Sequence, residues 1–396
     1  MAFTIIQRGS LALVLAIIYQ TGAKGIENKT VTFDFYGHPV SISYDTTLNT
    51  IRYESAVEQF IKRFDEEVIN PHHVPLIKEV QKTATYFGLD DVGKTLLITA
   101  FTEKAFAHRP QNYRTLVKWY ILYHDSMDVM LCYDAKNITL YGSMDAKPYG
   151  TGYIMKGGKI YTDLSFARTP YPTAGKVFEY KPKTPRNFTL QDFKLNKHAY
   201  PKLNALTQKK AHAFEFAGKK FSYTYTLNKS LILYLKDLPI VELGSIYVNY
   251  GFSEALKNTL IKELRSTIDS MGKREALGFL LKFVQEIPYK TDEEAWGYER
   301  YAYSEEVLYN DFADCEDKVV LYAALVKEML GVQSVALVYE NDEHVAIALK
   351  LPEETANYSF MYKNNRYVTA EPSGEGFELG KLGMDVKTVS LVVELY

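Results

Sequence analysis

Hydrophobic and polar positions alternate from 31 to 44 in a stretch rich in Val, Phe, Tyr and Ile. Gly37-His38-Pro39 interrupts the alternation, which predicts a hairpin. Helical spacing follows over 56–69 and 74–87, the second helix entered after Asn70-Pro71 and ended by Gly88, and again over 112–123. Period-two runs predict strands over 129–133, 138–142, 152–155 and 159–164, with Gly157-Gly158 turning the last pair. From 169 to 201 the chain holds Pro170, Pro172, Pro182, Pro185 and Pro201 among Lys, Thr and Asn. Proline lacks the N–H that a ladder or helix needs, so this stretch is the expected linker. Beyond it, strands are expected over 213–216, 221–227 and 231–235, then helices over 253–270, capped by Ser253, and 275–286. From 287 to 314 the chain is aromatic and acidic with little periodicity.

The last stretch reads as helix and then strands. Residues 319–330 are apolar almost all round, which predicts a central, buried helix ended by Gly331. Alternation predicts antiparallel strands over 335–339, 344–350, 358–362 and 367–371, with Asn364-Asn365 turning the last two. The same order occurs earlier, in 115–123, 129–133, 138–142 and Lys156-Gly157-Gly158-Lys159, and Tyr133 and Tyr339 each close the first strand of their set. Either the chain carries an internal duplication or two αβ segments resemble each other by chance. The fold class predicted is α/β (α+β). A signal peptide (1–23) is followed by an N-terminal α+β domain (24–168), a proline-rich linker with a β-rich insert (169–250) and a C-terminal domain (251–396).

A length of 396 residues favours more than one core. The net charge of -2 gives no electrostatic case for nucleic acid or an anionic membrane surface. At the N-terminus, Arg8 precedes an apolar stretch over 11–19 and then Thr21-Gly22-Ala23, the layout of a secretory signal. No later segment is apolar for long enough to form a membrane helix, so the expectation is a soluble chain exported to the periplasm or beyond. There are two cysteines. They could form one disulfide, but their contexts differ: Cys132 lies in Val129-Met130-Leu131-Cys132-Tyr133, a buried-strand pattern, while Cys315 opens a helix.

Cys315 sits in Asp314-Cys315-Glu316-Asp317-Lys318, directly ahead of the apolar helix, and His344 and Glu371 follow at strand ends. A thiol at a helix N-terminus, a histidine and an acid form the layout of a nucleophile with its base and orienter. The helix end favours a thiolate, whereas Asp314, Glu316 and Asp317 oppose it, so a His344 imidazolium is needed as compensating charge. Asp314 as N-cap and Asp317 as its partner three residues on would also satisfy the helix end. Alternation puts His344 on one face with Ala346 and Ala348, small residues that leave room for a facing helix terminus. Glu371 on a neighbouring strand could fix the imidazole tautomer. His72-His73 reads as a loop feature, and Ser373-Gly374-Glu375-Gly376 is too acidic for a phosphate cradle. No cofactor or metal is indicated, and the oligomeric state is not specified.

These residues carry a resemblance. Phe312-Ala313-Asp314-Cys315-Glu316-Asp317-Lys318 with the helix after it, Tyr339 with His344-Val345-Ala346, and Tyr367-Val368-Thr369-Ala370-Glu371-Pro372 resemble the bacterial transglutaminase-like superfamily, a papain-related cysteine fold. The likeness spans about 253–396, with Ile287-Pro288-Tyr289 and 303–309 upstream of the cysteine. It implies Cys315 as nucleophile, His344 as general base and acid, and the residue before Pro372 as orienter. Glu371 stands there in place of the family's usual aspartate. The function expected is attack on amide bonds of a peptide, protein or cell-wall peptide substrate. Hydrolysis is expected over transamidation, because water far exceeds any amine in an open cleft. The alternative is a catalytically silent binding or assembly module of the cell envelope, because the earlier copy holds Gln111 to Tyr113 and Asn137 or Ile138 where the cysteine and histidine would stand.

Overall fold

The computed structural model describes residues 27–69, 71–167, 177–182, 189–195, 200–352 and 359–396. The expected signal peptide and most of the proline-rich stretch lie outside the described residues. The chain opens with the hairpin β1 (Asn28–Phe35) and β2 (His38–Asp45), turned at Tyr36 and Gly37, whose φ values are 52° and 88°. Four helices follow, α1 (Glu58–Val68), α2 (Val74–Phe87), α3 (Asp91–Ala105) and α4 (Gln111–His124), then five strands, β3 (Val129–Tyr133), β4 (Ile138–Ser143), β5 (Tyr153–Lys156), β6 (Lys159–Asp163) and β7 (Phe178–Tyr180). Helix α3 escapes a periodicity search because Thr, Gly and Ala are interleaved with its apolar residues and it is buried on several sides. Strand β7 lies within the expected linker. Its three residues include no proline, so they can pair with β3 as an edge strand.

The second half begins with the hairpin β8 (Thr207–Phe216) and β9 (Lys219–Asn228) and the helix α5 (Lys229–Asp237). The strand expected over 231–235 is therefore a helix. Asn228 caps it by accepting from the Leu231 N–H, and Leu231, Ile232, Tyr234 and Leu235 are buried. Short α6 (Ser245–Asn249) precedes α7 (Glu254–Leu256), which runs through a π turn over Lys257–Ile261 into α8 (Lys262–Ile268). Then come α9 (Lys273–Gln285), α10 (Asp292–Trp296), α11 (Ser304–Tyr309), α12 (Cys315–Leu330), and the strands β10 (Ser334–Tyr339), β11 (His344–Lys350), β12 (Ser359–Tyr362), β13 (Asn365–Ala370) and β14 (Leu391–Glu394). The molecule is thus mixed α/β, with antiparallel sheets. Among the described residues, no helix is long and apolar enough to cross a membrane.

The two five-stranded sheets have the same design. One has the order β5-β6-β4-β3-β7 and the other β12-β13-β11-β10-β14, and each is entered from a helix, α4 or α12. Their registers superimpose: Tyr133 pairs with Ile138 as Tyr339 pairs with His344, and Tyr141 pairs with Asp163 as Ile347 pairs with Ala370. One hydrophobic cluster runs through both lobes, and the buried residues of α12 enter it together with Ala336, Ile347, Leu349, Val368 and Ala370. On the opposite face of the C-terminal sheet, Val335, Leu337, Tyr339, Ala346, Ala348 and Tyr367 form a second, smaller core.

Candidate active site

Cys315 is the first residue of α12. Asp314 caps that helix by accepting from the Asp317 N–H at 3.3 Å. The segment before it is held by strand-like pairing of Tyr289 with Ala313, with the Ala313 N–H donating to the Pro288 carbonyl at 3.0 Å. Asp317 does not complete a capping box. It is one methylene shorter than the glutamate that motif uses, and it accepts from the Ala302 N–H at 2.7 Å. Because the body of α12 is buried almost all round, the thiol has a fixed address beside the first residues of the strand that begins at His344.

His344 opens β11, and its Nε2–H donates to Glu371 Oε2 at 2.9 Å. Glu371 lies one residue beyond Ala370, which pairs with Ile347, so it falls opposite Ala346 on the face that also carries His344. The carboxylate is itself held: Oε1 accepts from Ser373 Oγ at 2.5 Å, and the Gln285 side chain donates to the Glu371 carbonyl at 3.0 Å. The expectation that the small residues beside His344 face the helix is corrected. The helix packs on the Ile347 and Leu349 face, and Ala346 and Ala348 are small because the second core holds Tyr339 and Tyr367 there. Being terminal in its strand, the imidazole still reaches the cavity by the helix end.

Cys315 and His344 line one cavity of about 490 Å³. The thiol is buried, 5 % exposed, and its S–H donates to Glu316 Oε2 at 3.0 Å. The Val345 N–H and the Tyr289 hydroxyl also lie within hydrogen-bonding reach of the sulfur. No hydrogen bond joins Cys315 to His344 among the described residues. Burial, then the Glu316 carboxylate, then Asp314 push the thiol well above its ordinary range. The helix N-terminus is therefore outweighed, and the resting sulfur is a protonated thiol. Cys132 is also a free, buried thiol, pushed up to about 11 mainly by burial, so the two cysteines do not form a disulfide.

The cavity is strongly acidic. Asp292, Asp314 and Glu316 lie within it, Glu293, Glu299, Glu340 and Glu343 stand around its mouth, and among the described residues no lysine or arginine lines it. Among the described residues, none of the four at the mouth has an ion-pair partner. Inside, Asp292 hydrogen-bonds Asp314 and Glu316 hydrogen-bonds Glu299, pairs that must share protons. Burial and the neighbouring acids push Asp314, Asp317 and Asp292 above the usual carboxylate range. Ligand atoms of Asp292, Asp314 and Glu316 lie within 4.8 Å of one another, a spacing that could hold a cation through oxygen ligands.

No protein-family model, curated protein or solved structure matches this chain. The site therefore rests on its own geometry. Of the residues singled out from sequence, Cys315 and His344 share the cavity and Glu371 supports His344 from behind. Sequence reasoning placed Tyr289 within the likeness but gave it no role, and it missed Asp292 and Glu299. The only signal for them was the density of acids over 292–299 upstream of an equally acidic helix start. His73 is a satisfied core residue, with Nδ1 at 2.9 Å from the Val68 carbonyl and Nε2 at 3.0 Å from Thr47 Oγ1. In the N-terminal lobe, the positions topologically equivalent to Cys315, His344 and Glu371 hold Gln111, Ile138 and Leu164. There Asn112 Oδ1 accepts from the Ile138 N–H at 3.0 Å, a clamp between helix start and strand start in place of chemistry.

Proposed function

We propose that this chain is an exported, transglutaminase-like thiol hydrolase that cleaves amide bonds of peptides or proteins with Cys315, His344 and Glu371. The observation that carries this reading is the 2.9 Å bond from His344 Nε2 to Glu371, because it leaves Nδ1 as the ring nitrogen available to a thiol in the same cavity. His344 Nδ1 takes the thiol proton as the sulfur attacks the carbonyl carbon and the C–S bond forms. The imidazolium then protonates the amine as the C–N bond breaks. Water attacks the thioester with His344 again as base, releasing a carboxylic acid and restoring the thiol. The Cys315 and Glu316 N–H groups at the start of α12 precede the first intrahelical carbonyl partner and are the donors for the tetrahedral oxyanion. Four exposed carboxylates at the mouth, with no lysine or arginine among the described lining residues, favour a substrate that carries an ammonium group, such as a peptide with a free amine or a basic side chain.

One observation favours a second reading, a silent binding module. The resting thiol is held by Glu316 instead of the imidazole. A peptide-derived electrophile bearing a lysine side chain separates the two. The enzyme should be labelled on Cys315, with labelling abolished in Cys315→Ala and reduced at least about 100-fold in His344→Ala. Labelling that is equally slow in wild type and His344→Ala would leave the silent module.

A further inference from the structure

The N-terminal lobe has its own cavity of about 440 Å³ at the pseudo-equivalent place. Gln111, Asn112, Asn137, Ile138 and Thr139 line it at the positions that Cys315, Glu316, Glu343, His344 and Val345 occupy around the other. Its chemistry differs, because Arg114 and Lys118 share its wall with Glu103 and Asp163. Lys118 of α4 forms part of the wall, and the residue is only 7 % exposed. Its ammonium donates to the Leu164 carbonyl at 2.5 Å, lies 5.9 Å from the Phe166 ring and has no ion-pair partner among the described residues.

A buried lysine without a paired anion is rare, because the charge loses its hydration and one carbonyl does not replace it. The nearest acids are committed elsewhere. Glu103 pairs with Arg114 at 3.1 Å, and Asp163 accepts from the Ser165 N–H at 2.8 Å. Burial pulls the Lys118 ammonium down to about 8, and Asp163 and Glu103 only partly restore it. A buried ammonium in the cavity wall that has no ion-pair partner among the described residues suits an anion, and the amide and hydroxyl groups around it suit a small polar one. We propose that this cavity binds a carboxylate, that of a short peptide's C-terminus, with the Lys118 ammonium as its counter-charge. The inference does not depend on chemistry at Cys315.

The test is titration of the full chain with the dipeptide Ala-Ala, its C-terminal amide and acetate, followed by calorimetry or by amide shifts in α4. Ala-Ala should bind saturably, the amide at least about tenfold more weakly, and Lys118→Met should lose the difference while keeping a cooperative melt. Binding by wild type should also weaken about tenfold or more from pH 7 to pH 9.5 as the ammonium, pulled down to about 8, discharges. Acetate as tight as Ala-Ala would identify any small carboxylate as the ligand, and weaker acetate the peptide terminus. No saturable binding of either carboxylate, equal binding of the amide, or an affinity unchanged with pH would overturn the proposal.

Discussion

His344 and Glu371 stand on neighbouring strands of one sheet face with Nε2 2.9 Å from Oε2, whereas the thiol beside them gives its proton to Glu316 at 3.0 Å. Under the proposed mechanism, the base is oriented before the nucleophile is engaged. In such an arrangement the carboxylate fixes one imidazole tautomer and stabilises the imidazolium, and thiol ionisation follows only when Glu316 releases the sulfur.

Glu371→Gln should keep the fold but disfavour both the tautomer and the imidazolium, lowering turnover by about two to four orders of magnitude. Glu371→Asp should retain much more, because the charge survives and only the reach changes. The rate of Cys315 alkylation against pH in each variant is the check, and an unchanged profile in Glu371→Gln would reduce the mechanism to Cys315 and His344.

The Glu316 contact predicts a thiol that is slow at rest. Its placement at a helix start favours a thiolate and the adjacent acids, as the sequence already indicates, oppose it; with burial added, the opposing effects are larger. Glu316→Gln removes the ionisable carboxyl that accepts from the thiol and shares a proton with Glu299. Iodoacetamide should then modify Cys315 about tenfold faster near neutral pH, the equivalent of about one unit of thiol pKa, while Cys132 stays unreactive. Mass spectrometry of the two cysteine peptides over time measures both rates, and equal Cys315 rates in wild type and variant would remove Glu316 from control of the thiol.

The contrast between Cys315 and the acids shows where a sequence carries its own structure. Helix α12 was legible because the apolar run after Cys315 has no polar face, and the strands around His344 and Glu371 because their alternation is unbroken. The shared order of the two sheets was visible in the spacing of Tyr133 and Tyr339. Helix α5 was not, since Leu231-Ile232-Leu233-Tyr234-Leu235 is apolar under either period and Asn228 alone marks a helix start. The face of His344 was misread because small residues fit either a helix or a layer of aromatic rings. Tyr289, Asp292 and Glu299 meet Cys315 only through tertiary folding, which leaves no spacing to read.

The acidic cavity predicts a dependence on substrate charge. Glu340→Gln and Glu343→Gln each remove a carboxylate from the mouth without touching the sulfur or Glu316. With a lysine-bearing peptide, each should raise KM about two- to fivefold and leave kcat near its original value, and added salt should shrink the difference. A neutral peptide of the same length should be indifferent to either substitution. Equal effects on both peptides would show that the mouth is acidic for another reason.

Glu305 offers a pH test of stability away from the cavity. It is fully buried in α11, where Oε1 accepts from the Ser253 N–H while Oε2 has no partner, and burial pushes it up to about 7 from 4.5. An acid raised on folding holds its proton in the native state after the unfolded chain has lost it. Its contribution is therefore neutral below about 4.5, becomes unfavourable as pH rises, and levels off above about 7. Glu305→Gln keeps an acceptor for Ser253 and removes the titration. Urea unfolding at pH 5 and pH 8 should show wild type losing more stability over that interval than the variant, by about 2 to 3 kcal/mol. Asp292 and Asp317 add slopes of the same sign, so the relevant quantity is the difference between the two proteins. Parallel losses in both would mean that Glu305 is ionised in the native state at pH 5 as readily as in the unfolded chain.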